Sequence, residues 1–322
     1  MRISKTYPMT RYLLLPVVFI VTTITLSAQQ LSLFTQYREN ASVINPAALE
    51  SDFLAFGQNL TFGASYRAQW VGLNNAPTTQ TVRFSYLNKE LTGVSFMAGG
   101  HLINDVTGPT GFTGFYGKIG GIVTQDPEYS GFVVGLSVGA VQYRVKANEL
   151  FLREDNDVIG TQNQSQMYPD VGVGVYFYQT TGNSDYFYTG LSVPQVAGLD
   201  LTFKNDNGEF YTTRVRHFYG LLGFYKFFDN DSFLEPSLWI KYAPNVPVNV
   251  DLNLRYQLPG SLWIGTGISS AKTFHLDTGV LLGGNSFDNI IRIGYGFDYS
   301  FSSFGPTAGS THELNISFAF DR

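Results

Sequence analysis

Over residues 311–321 the chain alternates without a break. Leu314, Ile316, Phe318 and Phe320 point one way, and Glu313, Asn315, Ser317 and Ala319 the other. A period of two marks an extended strand with one apolar face, because successive side chains leave the pleated backbone on opposite sides. The pattern recurs upstream. Ile291, Ile293, Tyr295, Phe297 and Tyr299 alternate with Arg292, Gly294, Gly296, Asp298 and Ser300, and Val250, Leu252, Leu254 and Tyr256 with Asp251, Asn253 and Arg255. Phe132, Val134, Leu136, Val138 and Ala140 alternate largely with glycine and serine, and Val171, Val173, Val175 and Phe177 with Gly172, Gly174, Tyr176 and Tyr178. No stretch beyond Gln29 sustains a helical period.

Turn-forming clusters separate these runs: Gln125-Asp126-Pro127, Thr181-Gly182-Asn183, the stretch 204–208, Asp229-Asn230-Asp231, Leu258-Pro259-Gly260 and Gly283-Gly284-Asn285. Strands are expected near 53–65, 79–89, 92–102, 112–124, 131–144, 168–179, 185–193, 213–227, 232–242, 248–257, 261–269, 273–282, 289–300 and 311–321. Many are close to the roughly 9–11 residues with which a tilted strand crosses a bilayer.

Composition decides between a soluble sandwich and a membrane barrel. Charged residues are only 14%, against about 25% in an ordinary soluble domain, while aromatics reach 16% and glycine numbers 34. Few charges, many Tyr and Phe, and abundant glycine fit a sheet with one face in lipid and aromatic girdles at its edges. Inside a bilayer every backbone N–H and C=O must be paired within the protein, so such a sheet has to close. The expected fold is therefore all-β: a transmembrane antiparallel β-barrel of the outer-membrane type, with about fourteen strands, an even number as single-chain barrels have.

The N-terminus reads as an export signal. Arg2, Lys5 and Arg11 precede the apolar run Leu13 to Ile24, which is too short for a spanning helix of about 20 residues. Cleavage is expected after Ala28. Residues 1–28 then form a signal peptide, and residues 29–322 a single outer-membrane barrel domain with a short N-terminal segment.

If the apolar set faces lipid, the alternate set faces inward. Arg83, Glu235, Lys241, Asp251, Arg255, His275, Asp277, Arg292 and Asp298 fall on inward positions, where they are expected to pair, with inward glycines leaving room for them. Chemistry beyond this is sparse. There are no cysteines, the net charge is -5, and no basic run invites nucleic acid. The 4 histidines show no metal spacing. His275 with Asp277, and His312 after Ser310, are more simply same-face and neighbouring polar residues than catalytic groups. Glycines between 93 and 100 and between 111 and 121 lie in strands, not before a helix, so they are not phosphate loops. No catalytic residue, metal or cofactor is expected.

Two stretches stand outside the strand pattern. One runs from Gln36 to Ala48. The other is Tyr66 to Gly72, with Arg67, Gln69, Trp70 and Gly72, followed by Ala76, Pro77, Thr78, Thr79 and Gln80. This second stretch is expected to fold into the lumen as a plug, Arg67 pairing with an inner-wall carboxylate; the alternative is a docking site for a partner.

At these residues the chain resembles the PorP/SprF family of the type IX secretion system of Bacteroidetes. The matching stretches are FTQYRENASVINPAAL, YRAQWVGLNNAPTTQ, IND with GP three residues on, YPDVGVGVYFY, GLSVPQ, FLEPSLWIKY, IGYGFDYS and GSTHELNISF, in order along the mature chain. Where that family often has a Met-Phe-Asn-Pro type segment after Gln-Tyr, Arg38 and Glu39 follow Tyr37 here, and Asn45-Pro46 comes later. The resemblance implies a non-enzymatic outer-membrane component that aids secretion or surface attachment of a large adhesin-like protein, gliding adhesins included. It also implies contact with outer-membrane lipid, with periplasmic parts of the secretion machine and with the cargo's C-terminal sorting domain. The inward polar set by itself motivates a different role, a diffusion or substrate-specific channel.

Overall fold

A computed structural model of the chain describes residues 34–89, 94–146, 163–182, 185–197, 200–205, 208–213, 215–283, 289–303 and 305–322. The expected signal peptide, residues 1–28, lies outside them. Fourteen antiparallel strands close into a barrel: β1 (Leu60–Ala68), β2 (Thr78–Leu87), β3 (Val94–Thr107), β4 (Thr110–Val123), β5 (Ser130–Val145), β6 (Gln164–Thr181), β7 (Asp185–Val193), β10 (Phe218–Phe227), β11 (Phe233–Tyr242), β12 (Asn249–Gln257), β13 (Leu262–Ser269), β14 (Thr273–Gly283), β15 (Asn289–Ser300) and β16 (Thr311–Phe320). The missing numbers, β8 (Asp200–Asn205) and β9 (Gly208–Thr213), form a separate two-stranded hairpin between β7 and β10. Closure is made by β1 with β16, in register from Leu60 opposite Phe320 to Ala68 opposite His312.

The barrel is inside-out relative to a soluble protein. Val134, Val138, Ile119, Phe115 and Leu314 are exposed, whereas Arg83, Asp251, Arg292 and Glu313 are buried. Only a lipid environment makes that distribution favourable, since it presents aliphatic carbon outward and keeps charge within. The apolar members of the closing strand, Leu314, Ile316 and Phe318, all face out. Among the described residues no helix is long and apolar enough to cross a membrane, which leaves the crossing to strands.

Both chain ends of the barrel, Leu60 and Phe320, lie at one end, joined there by connections across 88–93, 124–129, 182–184, 228–232, 258–261 and 284–288. The other end carries the longest ones, across 69–77, 146–163, 194–217 and 301–310, beside short turns at 108–109, 243–248 and 270–272. Short turns belong to the periplasmic side and long loops to the outside, which orients the molecule.

Three expectations are corrected. The first strand begins at Leu60, not near 53; Ser51–Phe56 is instead a helix, α2, ended by Gly57 in the left-handed conformation at φ 74°. Glycine is suited to that position because it has no Cβ to clash there. A second short helix, α1, spans Ala41–Ile44, and a third, α3, spans Gly305–Ala308. Helices this short leave no period to detect. The stretch from Tyr66 to Ala68 belongs to β1, and the strand expected from 213 begins at Phe218, after the β8–β9 hairpin.

Candidate functional site

The lumen is filled by residues 34–59, which run from the outer half of the barrel to its periplasmic end. Near that end Asn59 donates to the carbonyls of Leu87 and Arg322, at 3.0 and 2.9 Å, and receives the Arg322 N–H at 2.8 Å. The segment carries the two features a plug needs, apolar residues and charges, and the wall meets each with its own counterpart.

On one side Ile44, Ala47, Leu49 and Phe53 pack against inward aromatics of β6, β7, β10 and β11: Tyr176, Tyr178, Tyr188, Tyr225, Phe233 and Trp239. This aromatic half was missed in the sequence, where the inward set reads as polar and glycine-rich. Tyrosine suits either face of such a wall, because a hydroxyl can find a partner while the ring stays buried. Tyr178 donates to the Pro127 carbonyl at 2.6 Å, and Tyr188 to Glu235 at 2.7 Å.

On the other side the plug's charges meet the inward ions. Arg38 pairs with Glu235 at 2.7 Å. Glu39 accepts from Arg255 at 2.8 Å and from Arg292 at 2.9 and 3.0 Å. Arg292 also holds Asp52, and Arg83 lies 3.5 Å from Glu50. Arg255 bridges onward to Asp277 at 3.0 Å. Glu313, fully buried on β16, accepts the Thr35 N–H at 2.6 Å and the Asn40 side-chain amide at 3.1 Å. Burial alone would raise the Glu39 carboxyl, but Arg292, Arg255 and Arg38 outweigh it and hold it well below the usual carboxylate range. Burial raises Asp52, and Arg292 offsets only part of the rise.

Glycines mark where the plug touches the wall. A Cβ on Gly174 would sit 2.0 Å from Asn45 Oδ1, and one on Gly135 would sit 2.5 Å from the Pro46–Ala47 peptide. Asn45 also donates to the Val175 carbonyl at 3.2 Å, and the Ile44 carbonyl accepts from Ser192 at 3.1 Å.

The inward charges are thus placed as follows. Arg83, Glu235, Arg255 and Arg292 contact the plug's acids and arginine, with Asp277 one step behind. Asp298 and Asp251 form a second group nearer the outside. Asp298 pairs with Arg67 at 3.0 Å, accepts from Thr35 at 2.8 Å and from His275 Nδ1 at 2.9 Å. Asp251 pairs with Lys241 at 2.5 Å, and Lys241 also donates to the Tyr37 hydroxyl.

The stretch around Trp70 is not the plug. Arg67 is a wall residue of β1, and residues 69–77 form the outer turn between β1 and β2. Gln69 accepts from Arg67 at 2.7 Å, and the Gln69 N–H donates to the Pro77 carbonyl at 2.8 Å. Thr78 starts β2, Gln80 faces outward, and Ala76 is half-buried. The turn is zipped to the lead-in of the closing strand: Val71 N–H donates to the Ser310 carbonyl at 3.0 Å, and Gly72 N–H to the Ala308 carbonyl at 3.1 Å. Two motifs more than two hundred residues apart therefore form one rim structure. His312 sits between Ser310 Oγ at 2.9 Å and the Tyr295 hydroxyl at 2.6 Å, with no carboxylate among the described residues orienting its ring.

The sequence matches the family described as "Type IX secretion system membrane protein PorP/SprF" over residues 26–318. The chain belongs to the PorP/SprF family. It is an outer-membrane barrel of that family: FTQYRENASVINPAAL builds the plug, YRAQWVGLNNAPTTQ and the start of GSTHELNISF meet at the rim, and YPDVGVGVYFY, FLEPSLWIKY and IGYGFDYS are wall strands. No curated protein matches the chain. Among solved structures it is similar to the toluene transporter TodX of Pseudomonas putida, at 10% identity and TM-score 0.51, covering 88% of this chain and 93% of that one. A "TodX monoaromatic hydrocarbon channel deltaS2 mutant" aligns at 10% identity and TM-score 0.50, covering 88% and 94%. At this identity the likeness is one of fold. This PorP/SprF barrel and those channels share a closed outer-membrane architecture.

Proposed function

We propose that the chain is a non-enzymatic accessory barrel of type IX secretion that helps one adhesin-like protein reach, or stay attached to, the cell surface. What supports this reading, beside the family, is the filled lumen. A plug held by buried ion pairs on one side and an aromatic wall on the other is built to stay, which suits an adaptor better than a conduit. The outer rim, where the turn across 69–77 meets Ala308–Ser310, is the face offered to the cargo's C-terminal sorting domain. The periplasmic turns are the face offered to the secretion machine. Deleting the gene in its native host is expected to remove one large exported protein from the surface; normal display of every such protein would overturn the proposal.

The rival is a diffusion or substrate-specific channel, favoured by the fold likeness to the TodX monoaromatic hydrocarbon channel. Planar-bilayer recording separates the two. Large, steady conductance from purified protein supports the channel, and a silent barrel the adaptor.

A further inference from the structure

β6 is 18 residues long and β7 only 9. Their ladder ends at Val173 opposite Val193, although β6 stays paired to β5 as far as Gln164 opposite Val145. Among the described residues, 164–172 of β6 have no ladder partner on the β7 side, where a strand edge ordinarily invites another strand. Two prolines enforce the stop, one from each strand. Pro194 follows directly on Val193 and has no N–H to give. On β6, Val171 aims its backbone at the β7 side, since its carbonyl accepts the Val196 N–H at 2.7 Å. Pro169, two residues on, faces the same side and again has no N–H. Between them Asp170 takes the Val171 N–H on its own Oδ1 at 2.9 Å, and its Oδ2 accepts from the Tyr116 hydroxyl at 2.7 Å. The motifs YPDVGV and GLSVPQ thus meet at one place and end one ladder there.

Freed from the ladder, the chain turns into the lumen. A Cβ on Gly172 would sit 2.6 Å from the Pro194 carbonyl oxygen, and Gly172 belongs to the buried set of β6, so the bend lies over the inner face of that strand. Gln195 is buried. Pro194 and Gln195 look across a gap of about 40 Å³ at Phe34, Val43 and Ile44 of the plug. Just below, the same wall grips the plug directly: Ser192 Oγ donates to the Ile44 carbonyl at 3.1 Å, and a Cβ on Gly190 would sit 2.9 Å from Asn45 Nδ2. A bend in this place covers the outer end of the insert. Beyond it, only residues 197–199 separate Val196 from β8 at Asp200. Such a link spans at most about 14 Å, so it has little slack. The β8–β9 hairpin is paired with no described barrel strand, and its displacement has to be taken up at the bend.

We propose that Pro194–Val196 is a strap that locks the outer end of the plug, and that the β8–β9 hairpin is the lever that lifts it. Displacing the hairpin from outside loosens residues 40–47 within, while the periplasmic end of the plug stays tied through Asn59. The inference does not depend on the adaptor reading, since a gated channel would use the same strap equally well.

Hydrogen exchange of the full-length protein in lipid nanodiscs, read by mass spectrometry over 40–47, tests this. The N–H groups of Val43, Asn45 and Ala47 are hydrogen-bonded there and report local opening. Gly172→Val puts carbon where the Pro194 carbonyl lies, and is expected to speed exchange over 40–47 by about tenfold with the β1–β16 ladder unchanged. Gly121→Val, with nothing within 4 Å, should match the parent in both regions. Unchanged exchange over 40–47 in Gly172→Val, or faster exchange spread evenly over plug and wall, would overturn the strap. Pro169→Val combined with Pro194→Val approaches the same point without added bulk. Restoring both N–H groups should lengthen the ladder, slowing exchange over 167–173 and speeding it over 40–47. A longer ladder with the plug unchanged would overturn the strap, and so would no change in either region. The lever is tested with an epitope inserted in the β8–β9 turn. Antibody binding there should speed exchange over 40–47, and no effect would overturn the lever.

Discussion

Arg292, on the inner wall of β15, holds both carboxylate oxygens of Glu39 in the plug, at 2.9 and 3.0 Å, across 253 residues of sequence. The same guanidinium reaches Asp52 at the far end of the plug, so one wall residue fastens two points of the insert. Arg292→Met removes that clamp and leaves two buried carboxylates short of a partner. Breaking one side of a buried pair costs roughly 3–5 kcal/mol. The plug is expected to leave its seat while the fourteen-strand ladder survives, because the wall's own hydrogen bonds are untouched. Planar-bilayer conductance is the measurement: channels should open in Arg292→Met that are absent from the parent. A variant as silent as the parent would mean that the aromatic side alone retains the plug.

Glu39 also sets the plug's response to acid. Its carboxyl titrates well below the usual range in the folded protein, held there by Arg292, Arg255 and Arg38 against the effect of burial. A group with a depressed folded pKa contributes stability that is fully present above its unfolded pKa, about 4.3 for Glu, and is lost as pH falls through the folded value. Asp52 is shifted upward, takes its proton first, and in doing so favours the folded form. Plug release on acidification should therefore wait until the pH has dropped below the ordinary carboxylate range. In Glu39→Gln that acid step should vanish, leaving a uniformly weaker seat. Conductance, or proteolysis of the 34–59 segment, followed from neutral pH downward checks both.

Much of this architecture was legible in the chain, and the reason is periodicity. A period of two commits each residue to a face, so Arg83, Glu235, Arg255 and Arg292 could be placed inward, and Leu314, Ile316 and Phe318 outward, before any contact was known. The plug was not legible for the converse reason. α1 and α2 are too short to show a period, and what seats them is a set of contacts such as Arg292–Glu39 that no local pattern encodes. The Trp70 stretch reads as an insert because Arg67 offers a fork of donors, Trp70 a large amphipathic surface and Ala76-Pro77 a stiff turn. Residues 69–77 instead form a turn whose partner, Ala308–Ser310, lies near the other end of the chain.

Glycine positions give a way to displace the plug without touching a charge. A Cβ on Gly174 would meet Asn45 Oδ1 at 2.0 Å, a distance real Cβ atoms do not adopt. Gly174→Val is expected to push the Asn45–Pro46 turn off the wall at a cost of about 1–3 kcal/mol, as overpacked sites do. Gly121→Ala, where nothing lies within 4 Å, is the matched control and should be neutral. Protease sensitivity of the plug, read beside heat-modifiability of the barrel, separates displacement of the insert from failure of the fold.

The closing strand carries the last prediction. Ile316 is 49% exposed on the lipid face, while its neighbour Ser317 is buried on the lumen face, and both lie mid-strand in β16, paired to Ala64 and Gly63 of β1. A lysine on the lipid face of a barrel near the bilayer midplane costs roughly 2–4 kcal/mol, because its ammonium has neither water nor a partner there. Ile316→Lys should lower stability by that amount in urea unfolding from lipid vesicles. Ile316→Val, which keeps the apolar contact with lipid, should cost far less. If lysine and valine unfold together, position 316 does not face lipid. The inside-out assignment, and with it the inward placement of Glu313 and Asn315, would then be one residue out of register.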